Sequence, residues 1–181
     1  MRRPSFLASA VLFSTLLAGV PAAQVQDRVP NRAEPMNDAA FMHNARAMGQ
    51  AEIDLAELAQ ARGQDEGLKS LASAIRTEHM QTALELKTLA SSKRVDLPVP
   101  MGLDKFTKDQ FSRLSGIAFD RAYLDRTVQD HRQAIANFIH ASGSADEDVR
   151  AFALKVLPTM SDHQRRAEEL QKQFGERAKA R

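Results

Sequence analysis

Four stretches of this chain repeat apolar side chains at alternating spacings of four and three, a period that allows little besides helices packed through one face. The rows are Phe41, Ala45, Met48, Glu52, Leu55, Ala59; then Leu68, Ala72, Ile75, His79, Thr82, Leu86, Leu89; then Ile117, Arg121, Leu124, Val128, His131, Ile135, Phe138; and finally Val149, Ala153, Val156, Met160, His163, Ala167, Leu170, Phe174. Asn37 or Asp38 can cap the first helix. Gly63 ends it as the residue that accepts a left-handed cap at least cost, and the third row stops at Ser142-Gly143. Ser144 and Glu147 have capping-box spacing before the fourth row. Pro158 removes one hydrogen bond, to the carbonyl of residue 154, and predicts a kink in that helix.

The first two rows are separated by a short turn, and so are the last two. Between these hairpins, residues 91–116 hold Pro98, Pro100 and Gly102, which break a helix, and an amphipathic segment, Lys105 to Leu114, that can form a short one. That connection is long enough to run beside a helix of similar length. The expected fold is therefore all-α: a ferritin-like four-helix bundle of two helical hairpins joined by a long crossover carrying a short helix. The amphipathic segment either packs on the bundle end as a lid or docks on a partner or membrane surface.

Residues 1–22 read as a signal peptide: a basic start, an apolar stretch of about 15 residues that is too short to span a bilayer, and small residues at Val20-Pro21-Ala22 for cleavage. Arg2-Arg3 sit one residue too far from Phe6-Leu7 for twin-arginine export, which favours general secretion. Residues 23–36 are a polar, proline-containing leader, 37–175 the bundle and 176–181 a polar tail. The expected location is the periplasm, with peripheral outer-membrane association or secretion as alternatives.

Without Arg2 and Arg3 the 25 basic residues fall to equal the 23 acidic ones, so the electrostatic footprint of a nucleic-acid binder is missing. The absence of cysteine excludes a disulfide framework, thiolate zinc sites, c-type haem and a lipoprotein anchor. No second long apolar segment suggests a transmembrane span. A protein partner or a homo-oligomer stays open. Glycine-rich phosphate loops and nucleophile elbows are also missing, which leans away from an enzyme.

What remains to explain is that each apolar row carries one ionisable group: Glu52, His79, His131 and His163. Burying such groups is costly unless they are paired, hydrogen-bonded or ligated. One reading is an interhelical hydrogen-bond network, in which the acids preceding the histidines (Glu78, Asp130, Asp162) reach imidazoles on neighbouring helices. The other is a single transition metal, zinc, iron, manganese or copper, held by nitrogen and oxygen ligands. Counted from Gly63 and Gly143 at ~1.5 Å per residue, Glu52 and His79 are staggered by roughly 7 Å, and His131 and His163 by roughly 12 Å. That argues against one compact shell. It also brings Met160 level with His79 as an alternative ligand, a choice that leans toward copper. The Glu-x-x-His pairs of di-iron bundles are absent.

Glu78-His79 in the second helix, Phe119-Asp120 and Tyr123 before His131 in the third, and Leu157-Pro158 before His163 in the fourth together resemble the exported bacterial family catalogued as domain of unknown function 4142, also labelled predicted outer-membrane proteins. The likeness spans Phe41 to Leu170, with Glu78 standing where the family pattern has aspartate. It implies a ferritin-like bundle in the cell envelope and brings no established activity. The expectation is thus an exported binding or stress-related module with metal-ligating potential; the alternative is a metal-dependent oxidoreductase or metal-storage protein of ferritin-like type.

Overall fold

In the computed structural model, which describes residues 37–179, the rows become α1 (Asp38–Arg62), α2 (Glu66–Ser92), α4 (Gly116–Ala141) and α5 (Glu147–Lys179), with the short α3 (Lys105–Ser112) between the hairpins. No strand occurs among the described residues. The expected signal peptide and leader lie outside them.

Contacts at the helix ends fix the topology. At one end Lys93, just past α2, reaches the carboxylates of Asp146 and Asp148 (2.7 Å each) where α5 begins, and Ser144 Oγ donates to Asp38 Oδ1 (2.8 Å) where α1 begins. At the other end Arg177, late in α5, pairs with Asp65 before α2 (2.8 Å), and the N–H of Gln64 donates to Asp120 in the first turns of α4 (3.0 Å). Hence α1 and α5 run one way, α2 and α4 the other. Each of α1 and α5 packs against both α2 and α4, so every adjacent pair is antiparallel and neighbouring helix dipoles oppose. This is a four-helix bundle of two hairpins joined by a crossover, as expected.

The crossover is tied to α1. Leu103 N–H donates to Asp54 Oδ2 (3.0 Å), and Gly102 (φ +66°) must be glycine because a Cβ there would stand 2.0 Å from that oxygen. Arg62 donates to the carbonyls of Phe111 (2.9 Å) and Leu114, satisfying the C-terminal end of α3, and its guanidinium lies over the Phe119 ring. Leu103 and Phe111 enter the core, whereas Phe106 is 78% exposed. The inner face of the segment therefore packs on the bundle, in keeping with the lid reading.

Several local expectations change. Gly63 is not left-handed (φ −59°, ψ 146°); it provides clearance, since a Cβ would lie 2.7 Å from both Ala59 O and Leu68 Cδ2. The carboxylate of Asp120, buried in α4, accepts from the N–H groups of Gln64 and Asp65 and holds that turn. The first turns of α4 accordingly bury Phe119, Asp120 and Tyr123, while Ile117 and Arg121 of the expected row face out. At α5 the cap is Asp146, whose Oδ1 accepts from the N–H of Asp148 and Val149; Ser144 is used by Asp38 and Asp146 instead of a capping box with Glu147. α5 runs on through Pro158, which with Leu154 lies on the exposed side, so the freed carbonyl is on the solvent face. It also continues past residue 175 to Lys179.

The core forms two clusters. One gathers Leu55, Leu68, Ile75, Phe119, Leu124 and Phe174; the other gathers Phe41, Met42, Leu86, Phe138, Phe152 and Met160. Along each long helix, the residue between the clusters is the ionisable one: Glu52, His79, His131 or His163.

Candidate metal centre

The three histidines come from α2, α4 and α5, all buried, and one nitrogen from each lies within 4.8 Å of the other two. Each sits between core residues one turn away, Ile75 before His79, Thr127 before His131 and Ala167 after His163, so the apolar packing that closes the bundle points the rings inward. The rings of His79 and His163 are near parallel (20°), and His131 stands edge-on to both.

Hydrogen bonding assigns the tautomers. His131 Nδ1 is 3.0 Å from the carbonyl of Thr127, which can only accept, so Nδ1 carries the proton and Nε2 is bare in the neutral ring. That Nε2 faces His163 Nδ1 across 3.2 Å. On the far side of His163, Nε2 lies 3.1 Å from Glu78 Oε2, angled away from a regular hydrogen bond, and a carboxylate oxygen so near favours the proton on that nitrogen. Two bare nitrogens then meet across 3.2 Å. Bridging them by a proton on His163 Nδ1 would instead turn the lone pair of His163 Nε2 toward Glu78. Either neutral arrangement leaves repulsion, which a second proton on His163 or a metal cation between the rings removes. With bonds of about 2.1 Å, nitrogens of a tetrahedral shell stand roughly 3.4 Å apart, close to the gap already present.

The rings are held neutral. Burial, then the neighbouring His131 and His163, keeps His79 well below the ordinary histidine range. Burial and then His163 bring His131 down to about 4, and burial and then Arg166 bring His163 to about 4. Neutral imidazole is the ligating form.

Glu52 stands behind His131. Its Oε1 is 3.8 Å from Nδ1, the nitrogen turned away from the cluster, so the carboxylate is not among the converging donor atoms. Burial, reinforced by the nearby Asp130 carboxylate, holds Glu52 well above the usual range. Both its oxygens lack a hydrogen-bond partner among the described residues, as do His79 Nε2, Tyr123 Oη and Thr127 Oγ1. Beside the rings lies a cavity of about 30 Å3, room for one small ion or water, lined by Glu52, His79, Asp130, His131, Met48 and Met160 among mostly apolar neighbours.

Of the residues expected from the sequence, His79, His131 and His163 are brought together, Met160 lines the adjoining cavity and Glu52 backs His131. The stagger counted from the glycines misleads because residues 63–65 and 142–146 are not helical. From the helix ends nearest Asp38, the four ionisable residues lie 14, 13, 10 and 16 positions in, a spread a side chain can close. Tyr123 and Thr127 beside the layer, and the reach of Glu78 to His163, add to what the rows suggested. Asp130 does not reach an imidazole; it pairs with Arg126, and Asp162 pairs with Arg165.

These features define a four-helix bundle whose two apolar halves are separated by a buried layer of three histidines and a glutamate. The chain belongs to the family described as Domain of unknown function (DUF4142), which matches residues 23–170. No curated protein sequence matches it. Among solved structures it is similar to CopM in the Cu(I)-bound form (17% identity over 77% of this chain and 98% of that one, TM-score 0.67) and in the Cu(II)-bound form (17%, 78% and 99%, 0.68). It is also similar to a DUF305 fragment from Deinococcus radiodurans (16%, 77% and 99%, 0.68). At these identities the likeness is one of fold. No helix of the described residues is long and apolar enough to cross a membrane.

Proposed function

We propose that this protein is a metal-binding module in which His79, His131 and His163 hold one transition-metal ion, with the Thr127 carbonyl and Glu78 orienting the rings of His131 and His163 from behind and Glu52 close by His131. The observation that carries this reading is the pair of inward nitrogens, His131 Nε2 and His163 Nδ1, 3.2 Å apart with an acceptor behind each ring. Carboxylate and carbonyl partners on the outer nitrogen are the usual means of fixing a ligating imidazole. The copper-bound forms of CopM support the idea that a bundle of this kind can carry such an ion. The arrangement is that of a buried holding site, which fits a binding module better than an oxidoreductase.

Export is part of the same proposal: residues 1–22 are removed, 23–36 form a leader, and the bundle works in the periplasm. The family match that begins at residue 23, directly after the expected cleavage point, supports it. N-terminal sequencing of the periplasmic protein tests it.

For the metal, the test is elemental analysis of protein purified without chelators, with His79→Ala and His131→Ala beside it. One ion per chain, lost in both variants, is expected. Metal-free protein that melts cooperatively and takes up no added zinc, iron, manganese or copper contradicts the proposal.

A further inference from the structure

The three imidazoles leave a tetrahedral ion one donor short, and the cavity beside them is lined by two thioethers, Met48 and Met160, and two carboxylates, Glu52 and Asp130. Met160 is buried in α5, one turn before His163 and on the same helical face, and its side chain lines the cavity that His79 and His131 also line. Met48 of α1 lines that cavity too, with its sulfur accepting from Asn137 Nδ2 at 3.5 Å. The rest of the wall combines the apolar Phe41, Ala45, Leu86, Ala134 and Phe138 with Arg46, Thr82 and Asn137. The carboxylate nearest the cluster, Glu52, faces the outer nitrogen of His131. Glu52 and Asp130 border the cavity as well, but neither carboxylate is among the atoms that converge with the three imidazoles.

Thioether and imidazole donors in an apolar enclosure suit a soft ion, whereas carboxylate and water suit hard ones. Building on the metal-binding reading above, we infer that the ion is monovalent and soft, Cu(I) or its chemical stand-in Ag(I), and that the Met160 thioether completes its donor set. Gly49 leaves space at this point in α1: a Cβ there would meet only His79 Nδ1, at 3.9 Å, so the approach to the histidines is not walled off.

The experiment measures Cu(I) and Zn(II) affinities of the purified protein by chelator competition, for the wild type and for Met160→Leu, a swap that conserves volume. X-ray absorption of the Cu(I) form accompanies it. The expected result is a loss of at least about tenfold in Cu(I) affinity in the variant, with Zn(II) affinity changed less than about twofold and a sulfur shell that disappears with the substitution. Equal Cu(I) affinities, or a Cu(I) spectrum with nitrogen alone, overturn the inference and leave the three-imidazole site standing. Uptake of neither ion overturns both.

Discussion

His131 Nε2 and His163 Nδ1 face each other 3.2 Å apart in the middle of the bundle, each ring backed by an oxygen on its other side. Two apolar clusters flank that pair, so the polar layer is enclosed rather than solvated. The consequences divide between the residues that converge and those that hold them.

Glu52 separates the two roles. Because it stands 3.8 Å behind the outer nitrogen of His131, which the Thr127 carbonyl already holds, Glu52→Gln should keep one metal per chain and weaken its affinity by no more than about tenfold. His79→Ala should abolish stoichiometric binding. A metal titration distinguishes these outcomes; loss of stoichiometry in Glu52→Gln would make the carboxylate a ligand.

Acid should destabilise the metal-free protein. In the unfolded chain the histidines take up protons below about pH 6.5, whereas folded His131 and His163 resist until about pH 4 and His79 is also held low. The unfolded state therefore binds more protons in that window, and their contribution, complete above pH 6.5, is lost as pH falls toward 4. Glu52 has the opposite sign, since its raised value favours the folded state in acid and is lost as pH rises, but it is one group against three. Urea midpoints at pH 7, 5.5 and 4.5 should fall in that order. A flat or rising series would contradict the buried neutral histidines.

Asp120 is a structural clamp far along the chain from the turn it holds. Asp120→Ala removes the acceptor for the N–H groups of Gln64 and Asp65 and should cost about 2–4 kcal/mol in denaturant unfolding. Metal stoichiometry of the folded fraction should be unchanged.

The crossover helix offers an internal control. Phe111→Ser empties a core position and should cost about 3–5 kcal/mol, while Phe106→Ser on the exposed face should change stability by no more than about 0.5 kcal/mol. Thermal unfolding of the two variants, side by side, measures the difference.

The rows around Phe41, Leu68 and Val149 were legible because their four-and-three spacing is the geometry of the buried face. The start of α4 was not. There the crossover and the α1–α2 turn draw Phe119 and Asp120 inward, and Asp120's partner, the N–H of Gln64, is 56 residues away and has no side-chain signature. At the site, the interruption of apolar rows by His79, His131 and His163 was visible, but their convergence depends on turn lengths that a count from glycines misstates. Which nitrogen of His131 faces inward follows from the Thr127 carbonyl and the ring's rotamer, neither of which a residue pattern encodes. Glu52 therefore reads as a candidate ligand in sequence and stands behind His131 in the structure.

The most direct measurement is to locate the ion itself, by anomalous scattering from crystals of the protein loaded with Cu(I) or Ag(I). The account predicts one strong peak enclosed by His131 Nε2, His163 Nδ1 and a nitrogen of His79. A well-ordered layer with no peak among the three rings, and ions found only on the surface, would contradict it.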